Sequence, residues 1–208
     1  MDVFQEKAQS YDQWFVENEA LFQSEKEAVK KMMPAREDLA APAIEIGVGT
    51  GLFASALGIE EGLEPSEDMG RVAKRRGIRV IQSPAETMPM ASESYGMALM
   101  VTVDCFLADV ERAFSEVNRI LVPGGWFVIA FLDRETPLGQ IYQANKDSDD
   151  LYRYATFHSA EEIRAYLEGA GFAVEDGCQT VFSFENCVQE VLDGHGKGVF
   201  GVMRGRKK

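Results

Sequence analysis

The stretch that most constrains the fold is residues 43–51, which read Ala-Ile-Glu-Ile-Gly-Val-Gly-Thr-Gly. The apolar residues before the glycines are typical of the end of a buried strand, and residues 52–57 begin a helix. Glycine has no β-carbon, so it permits positive φ angles and lets a backbone approach a ligand closely. The loop also presents free N–H groups at the positive end of the following helix. The stretch therefore predicts a strand–loop–helix unit that holds a nucleotide-type ligand.

From residue 43 onward, predicted strands and helices alternate. The predicted strands are 43–46, 59–63, 78–81, 96–102, 126–132, 172–181 and 198–204. The predicted helices are 52–57, 66–75, 109–121, 137–150 and 159–169. This alternation implies an α/β fold with a doubly wound parallel sheet and right-handed crossovers. The last two strands lack a long helix between them, so we expect one of them to run antiparallel at an edge.

The residues before the first strand are predicted to be helical from 3 to 33. Four aromatic residues lie at i, i+3, i+4 and i+11 and so share one helix face: Tyr11, Trp14, Phe15 and Phe22. We expect residues 1–40 to form a helical cap at the ligand edge of the sheet, and residues 41–208 to form the α/β core. A length of 208 residues suits a single domain, 1–208.

Composition narrows the range of partners. A formal net charge of -13 argues against a nucleic-acid partner, because binding to phosphates depends on Lys and Arg. The three widely spaced cysteines fit neither a disulfide framework nor a zinc site, so we expect no metal and a reducing, cytoplasmic setting. No apolar run reaches the roughly 18 residues of a membrane span, and no signal-peptide pattern is present, so no membrane partner is expected. The oligomeric state is left open.

Acidic residues follow two neighbouring strands of the predicted sheet. In a doubly wound sheet the ligand lies beyond the carboxyl ends of the strands. Glu45 is costly to bury unless a donor or cation pairs with it. A dinucleotide pyrophosphate would be repelled there, whereas the ammonium and sulfonium groups of S-adenosylmethionine would not. Glu64 can accept both hydroxyls of a ribose, and Met69 can lie against an adenine or pack in the core.

The ends of later strands supply further candidates. The loop 83–90 can offer backbone amides and Glu86 to an adenine edge. The turn 102–106 is expected near the transferred methyl group and its acceptor. Asp104 and Asp133 follow strands 4 and 5, and we expect both carboxylates to face the cleft and orient an acceptor.

Taken in this order, the pieces from residue 43 to about 174 resemble the class I S-adenosylmethionine-dependent methyltransferases. The closest likeness is to the small-molecule branch called methyltransferase type 11. It includes the run from Arg119 to Gly125, which is similar to the family's R-x-L-x-P-G-G, and the late helix that begins at Ser159. The resemblance implies a Rossmann-like seven-stranded sheet of order 3-2-1-4-5-7-6 with strand 7 antiparallel.

The resemblance also implies individual roles. Glu45 and the glycines match the first motif, whose backbone approaches the methionine part of the cofactor, and Glu64 matches the acid that grips the ribose. Ala85 and Glu86 fall beside the adenine, and Thr102 falls where the fourth strand passes under the cofactor. The predicted cofactor-binding residues are Glu45, Gly47, Val48, Gly49, Gly51, Glu64, Pro65, Met69, Ala85, Glu86 and Thr102.

Two departures from the family pattern concern the adenine loop and the turn after strand 4. Pro84 stands where the family has an acidic residue, and the turn lacks the histidine that many relatives carry. Methyl transfer from a sulfonium depends on proximity and alignment, and a base is needed only if the acceptor must lose a proton. No catalytic residue is therefore predicted; His158 is expected to be structural and His195 solvated.

The predicted product of the cofactor is S-adenosylhomocysteine, and the predicted acceptor is a small molecule of unspecified chemistry. Candidate acceptor-binding residues are Tyr11, Trp14, Phe15, Asp104, Phe106 and Asp133. The three aromatic residues of the cap have two readings. They either close over the cofactor and line an apolar acceptor pocket, or they belong to an amphipathic helix buried on the body.

Two alternatives remain open at this point. A Rossmann oxidoreductase would bind a nicotinamide dinucleotide, but the loop reads G-x-G-x-G rather than G-x-G-x-x-G, and Glu45 would face phosphate. A non-catalytic S-adenosylmethionine-binding scaffold is the second, because a fold does not fix a function.

Overall fold

The computed structural model describes residues 7–175 and 177–208. Its strands are β1 Ala43–Ile46, β2 Glu61–Leu63, β3 Arg79–Ile81, β4 Tyr95–Val101, β5 Leu121–Leu132, β6 Phe172–Val174, β7 Cys178–Thr180, β8 Leu192–Asp193 and β9 Phe200–Lys207. Its α-helices are α1 Ala8–Glu17, α2 Glu19–Met32, α3 Leu52–Leu57, α4 Glu67–Arg75, α5 Val110–Ile120, α6 Pro137–Asn145 and α7 Ala160–Gly169. Among the described helices, none has both the length and the apolar character needed to cross a membrane.

The strands form one mixed sheet of order β3-β2-β1-β4-β5-β9-β7-β8, and β6 also pairs with β9. Pairing is parallel from β3 across to β5, and β9 runs antiparallel to β5. This confirms the α/β fold and the predicted order, with β9 as the antiparallel strand 7. The carboxyl ends of β1, β2, β3 and β4 therefore lie along one edge.

In the structure, the predicted strand 172–181 is divided into two strands, β6 and β7. Residue 176, between them, lies outside the described residues. Val174 pairs with Gly205 and Cys178 pairs with Val202, so the β6–β7 side carries one residue more than β9 between these pairs. The two strands therefore pair with β9 in registers that differ by one residue and do not form one continuous ladder. Gly177 lies against the opposite backbone, where a β-carbon would approach the Val202 carbonyl oxygen to 2.4 Å.

Alternate residues of the central strands face opposite helical layers. In β4, Met97, Leu99 and Val101 pack in the apolar cluster that includes α2 and α3. Ala98 and Met100 pack in the cluster that includes α5 and α7. Every residue of β4 is buried, as expected of a strand covered on both faces.

The predicted helix 3–33 is two helices, and residues 3–6 lie outside the described residues. The helix breaks at Asn18, whose φ and ψ are -119° and 39°. The aromatic face divides at this break: Phe22 packs on Phe53 with ring centroids 5.0 Å apart, whereas Trp14 keeps 41% of its surface exposed. The N-terminal segment therefore combines a cap helix, α1, with a helix that belongs to the core, α2.

The loop after β3 is fixed by α5. Arg119 donates hydrogen bonds to the carbonyl oxygens of Met88 and Met90 at 2.9 and 2.8 Å, and it pairs with Glu116. Residues 123–125, which precede the predicted strand 126–132, lie within β5 as an irregularity in its pairing with β4. Arg119, the first residue of the R-x-L-x-P-G-G run, thus holds the loop after β3, which forms one wall of the site described next.

Candidate functional site

The glycine loop curls tightly between β1 and α3. The N–H groups of Gly47 and Val48 both donate to the Leu63 carbonyl oxygen, at 2.8 and 2.9 Å, which ties the loop to the end of β2. Gly47 has a φ of +71°, and a β-carbon there would lie 2.4 Å from the Val103 side chain. Gly49 has a φ of +53° with open space where a β-carbon would stand. The sequence therefore needs glycine at the first position for packing and at both positions for conformation.

Glu64 bridges the glycine loop and the start of α4. One carboxylate oxygen accepts the N–H of Gly49 at 2.8 Å, and the other accepts the N–H of Ser66 at 2.8 Å. Ser66 caps α4 by accepting the N–H of Met69. The side chain of Glu64 is held in one orientation at the tip of β2, with 5% of its surface exposed.

A cavity of about 460 Å³, here called the first cavity, opens between the glycine loop, α1 and the later strand ends. Eight of the eleven predicted cofactor-binding residues line it: Gly47, Gly49, Glu64, Pro65, Met69, Ala85, Glu86 and Thr102. Tyr11 and Phe106, predicted for the acceptor, also line it. The structure therefore brings together residues that are far apart in the sequence.

Glu45, Val48 and Gly51 are not among the residues that line the first cavity, so their placement beside the ligand stays a prediction. The Glu45 carboxylate accepts the N–H of Ala54, and the residue has 2% of its surface exposed. Oε2 of Glu45 has no hydrogen-bond partner among the described residues. Burial raises the pKa of this carboxyl well above its ordinary value.

Glu86 lines the first cavity but its carboxylate is engaged elsewhere. Oε1 accepts the N–H of Ala108 at 2.9 Å, just before α5. The carbonyl oxygen of Glu86 accepts the Arg112 guanidinium at 3.2 Å. The residue therefore connects the loop after β3 to the loop after β4, and Pro84 and Ala85 present the adjacent backbone to the cavity.

A second cavity of about 480 Å³ adjoins the first. Five residues line both: Tyr11, Val101, Thr102, Leu151 and Tyr152. Thr102 has a φ of +51°, an unfavourable conformation for a residue with a branched β-carbon. Such strain is found most often at functional sites. The two cavities therefore meet at the end of β4, around a strained residue.

The walls of the second cavity are mainly aromatic. Trp14 and Phe15 of α1 line it, as one reading of the cap predicts, together with Phe53, Tyr142 and Phe200. Tyr152 packs edge-on against Tyr142, with centroids 5.4 Å apart, and stacks on Phe106 at 6.1 Å. The sequence analysis missed the wall formed by Leu151 and Tyr152, because this loop has no periodic pattern. Its cluster of aromatic residues after α6 was the available signal.

Glu25 is a further residue that the sequence analysis missed. It projects from α2 into the second cavity and has 9% of its surface exposed. It has no hydrogen-bond or ion-pair partner among the residues that the structure describes. Burial raises the pKa of Glu25 to about 8. The available signal was its position four residues from Leu21 and four from Val29, which places an acid on the apolar face of the helix.

Asp104 and Asp133 line neither cavity, which corrects the expectation that both face the cleft. Oδ2 of Asp104 lies 2.9 Å from Nδ1 of the buried His158, and Oδ1 has no partner among the described residues. Burial raises the pKa of Asp104, and the hydrogen bond with His158 opposes this change. Asp133 accepts the N–H of Glu135 at 3.1 Å. His158 is buried and paired with Asp104, and its structural role stays a prediction, whereas His195 is exposed, as expected.

Comparison with known proteins identifies the family. Residues 44–129 match the family described as Methyltransferase domain. An uncharacterized protein of Methanocaldococcus jannaschii is 36% identical over 209 residues, covering 100% of both chains. The malonyl-[acyl-carrier protein] O-methyltransferase of Nitrosospira multiformis is 26% identical over 105 residues, which cover 50% of this chain and 34% of that protein.

A solved structure is similar over the whole chain. It is an S-adenosylmethionine-dependent methyltransferase from Thermotoga maritima, described as a possible histamine N-methyltransferase. The two sequences are 40% identical, the TM-score is 0.93, and the match covers 99% of this chain and 98% of that one. The sheet order, the glycine loop and these full-length matches agree, and the chain belongs to the S-adenosylmethionine-dependent methyltransferases.

Proposed function

We propose that the first cavity holds S-adenosylmethionine and that the second cavity holds a small-molecule methyl acceptor. Membership of the family implies that S-adenosylmethionine is the methyl donor and that S-adenosylhomocysteine is its product. The assignment of the acceptor to the second cavity is supported by the wall that the two cavities share, at Tyr11, Thr102 and Tyr152. Two reactants that bind in adjoining cavities can meet at that wall without crossing solvent.

The residues at the first cavity fit an adenosyl compound. The carboxylate of Glu64 is oriented by two backbone N–H groups, so it is fixed in place to accept the ribose hydroxyls. Gly47 and Gly49 leave room for the methionine part. Met69 and Ala85 offer apolar contact to the adenine.

When bound, S-adenosylmethionine supplies a methyl group on a sulfonium, which is a good leaving group. The protein then has to align the acceptor, and alignment lowers a barrier by about 7–11 kcal/mol in favourable cases. Thr102, Tyr11 and Tyr152 stand where the two ligands meet. We assign them to alignment and to the exclusion of water.

The acceptor site has the dimensions of a small-molecule site. A volume of about 480 Å³ lies within the range of about 300–1,000 Å³ typical of ligand pockets. The Thermotoga maritima relative is described as a possible histamine N-methyltransferase, and histamine is a small molecule. The net charge of -13 disfavours nucleic acid as the acceptor. The nicotinamide and scaffold alternatives gain no support from the relatives.

Calorimetry with S-adenosylhomocysteine and with NAD tests the cofactor assignment. We expect one site for S-adenosylhomocysteine and no binding of NAD. Glu64→Gln should weaken S-adenosylhomocysteine about tenfold or more, because hydrogen bonds to a charged group contribute about 1.5–3 kcal/mol. Glu67→Gln, on the exposed side of α4, is the matched control and should bind normally. Binding of NAD in preference to S-adenosylhomocysteine would overturn the proposal.

A further inference from the structure

We propose that the second cavity binds its acceptor as an amine, and that Glu25 pairs with the ammonium group and takes its proton. This inference rests on the proposed function and specifies the acceptor that the function leaves open. It assigns Glu25, a residue of the N-terminal helical segment, to substrate recognition and to general-base chemistry.

The first support is the isolation of Glu25. A buried carboxyl without a partner is costly, because it has lost its hydration and gained no hydrogen bond. Glu25 lines the second cavity and has no such partner among the described residues. A cation entering the cavity would supply the missing partner. An anionic ligand, such as a carboxylate or a phosphate, would be repelled by an ionised Glu25. It could bind only if Glu25 stayed protonated.

The second support is the aromatic surroundings. Tyr11, Trp14, Phe15, Tyr142 and Tyr152 line the same cavity. The faces of aromatic rings attract cations, and the attraction is stronger where the cation is desolvated. An aromatic wall with a single interior carboxyl group is a common arrangement for binding an ammonium group. The apolar surface also suits the carbon skeleton of an amine.

The charges at the cavity edge point the same way. Asp149 and Asp150 line the cavity and are exposed, so they favour the approach of a cation. Among the described residues of this lining, Lys7 is the one cation, and it pairs with Asp150 at 3.6 Å. The other titratable groups of the lining are Tyr11, Tyr142 and Tyr152, whose pKa values are raised by burial. These tyrosines remain neutral and do not compete for the ammonium group.

The proton balance fits nitrogen as the acceptor atom. An ammonium group has no lone pair, so it must lose a proton before it can be methylated. A carboxylate oxygen of Glu25 takes that proton, and the neutral nitrogen then has a lone pair available for the methyl group. The product is a methylated ammonium ion, and the proton on Glu25 returns to solvent. A carboxyl whose pKa lies near 8 is suited to this exchange at neutral pH.

Calorimetry on the protein saturated with S-adenosylhomocysteine tests the inference. The probes are 2-phenylethylamine and its neutral analogue 2-phenylethanol. We expect the amine to bind at least tenfold more tightly than the alcohol at pH 7. Because Glu25 is mainly protonated in the empty cavity at this pH, binding of the ammonium form should release about one proton, measured in buffers of different ionisation enthalpy.

Glu25→Gln keeps the size of the side chain but cannot accept the proton. It should bind S-adenosylhomocysteine normally, lose at least tenfold in amine affinity and abolish the proton release. Glu27→Gln, two residues along on the exposed face of α2, should change none of these values. Equal binding of amine and alcohol, or unchanged amine binding in Glu25→Gln, would overturn the inference and leave the cofactor assignment intact. Failure to bind S-adenosylhomocysteine would instead overturn the proposed function, and the inference with it.

Discussion

Buried carboxyls occupy different positions around this site. Glu45 is buried at the end of β1 with one N–H donor, and Glu25 lies in the second cavity with no hydrogen-bond or ion-pair partner among the described residues. Burial raises the pKa of both groups. The difference is access: Glu25 can be reached by a ligand, whereas Glu45 is enclosed by the protein. A ligand can therefore change the charge of Glu25 but not that of Glu45.

The raised pKa of Glu25 makes stability depend on pH. The folded protein keeps this proton up to about pH 8, whereas the unfolded chain loses it near the ordinary value of 4.5. Unfolding between these values therefore releases a proton, and the free energy of unfolding falls as the pH rises from about 4.5 to 8. Glu25→Gln should remove this part of the slope in urea unfolding of the ligand-free protein. Identical slopes for Glu25→Gln and the wild type would contradict the assignment of the neutral form.

Thr102 offers a test of strain at the junction of the cavities. Thr102→Gly should raise the free energy of unfolding by about 0.5–1 kcal/mol, because a left-handed conformation costs a non-glycine residue about 1–2 kcal/mol and glycine is less restricted when unfolded. It should also slow methyl transfer, because the side chain lines both cavities.

Glu93→Gly is the control for that substitution. Glu93 is exposed, has a φ of 56° and lines neither cavity. It should stabilise the protein to a similar extent without changing turnover. Loss of turnover in both variants would show that stability, rather than the position of Thr102, controls the rate.

At the scale of elements, the site depends on how the loop after β3 is held. Arg119 donates to two carbonyl oxygens of that loop and pairs with Glu116. The hydrogen bond with Arg119 lowers the pKa of Glu116, so the pair contributes at neutral pH and its contribution is lost as acid protonates Glu116. The loop carries Ala85 and Glu86 into the first cavity. The position of Ala85 and Glu86 in the wall of the first cavity is therefore linked to α5.

Arg119→Ala should destabilise the protein by about 2 kcal/mol, because it leaves Glu116 and two carbonyl groups without their charged donor. It should also weaken S-adenosylhomocysteine severalfold by releasing the loop. The comparison is Arg71→Ala, which breaks two exposed ion pairs on α4 and should destabilise the protein much less, because solvent screens such pairs. Equal losses measured by thermal unfolding would contradict the role given to Arg119.

Elements with a local signal were predicted from the sequence. β4 is a continuous apolar run, and α7 begins with a capping box at Ser159 and Glu162. The division of the predicted strand 172–181 into β6 and β7 was not visible in the sequence, because it depends on the register against β9. The break at Asn18 was hidden by an aromatic pattern that continues across it. The eight lining residues follow from strand ends, whereas Glu25 and Tyr152 reach the site through tertiary packing.

At the scale of the whole molecule, the two cavities lie between α1 and the strand ends. Tyr11 lines both cavities. Trp14, one turn further along α1, lines the second cavity but not the first. The formal charge of -13 also gives the molecule a field that attracts cations, including a sulfonium donor and an ammonium acceptor. Helix α1 thus contributes to the walls of both cavities.

Tyr11→Ala should weaken both S-adenosylhomocysteine and the amine probe, because it removes part of the wall that the two cavities share. Trp14→Ala should weaken the amine probe and leave S-adenosylhomocysteine unchanged. Calorimetry on both variants, with thermal unfolding to confirm the fold, distinguishes the two outcomes. Unchanged binding of S-adenosylhomocysteine to Tyr11→Ala would remove this residue from the cofactor site.

A crystal structure of the protein with S-adenosylhomocysteine would test directly whether the first cavity is the cofactor site. We predict that the ribose hydroxyls lie within hydrogen-bond distance of Glu64, that the adenine lies between Met69 and Ala85, and that the sulfur faces Thr102 at the entrance to the second cavity. A ligand bound elsewhere, or bound in the first cavity without contact to Glu64, would contradict it.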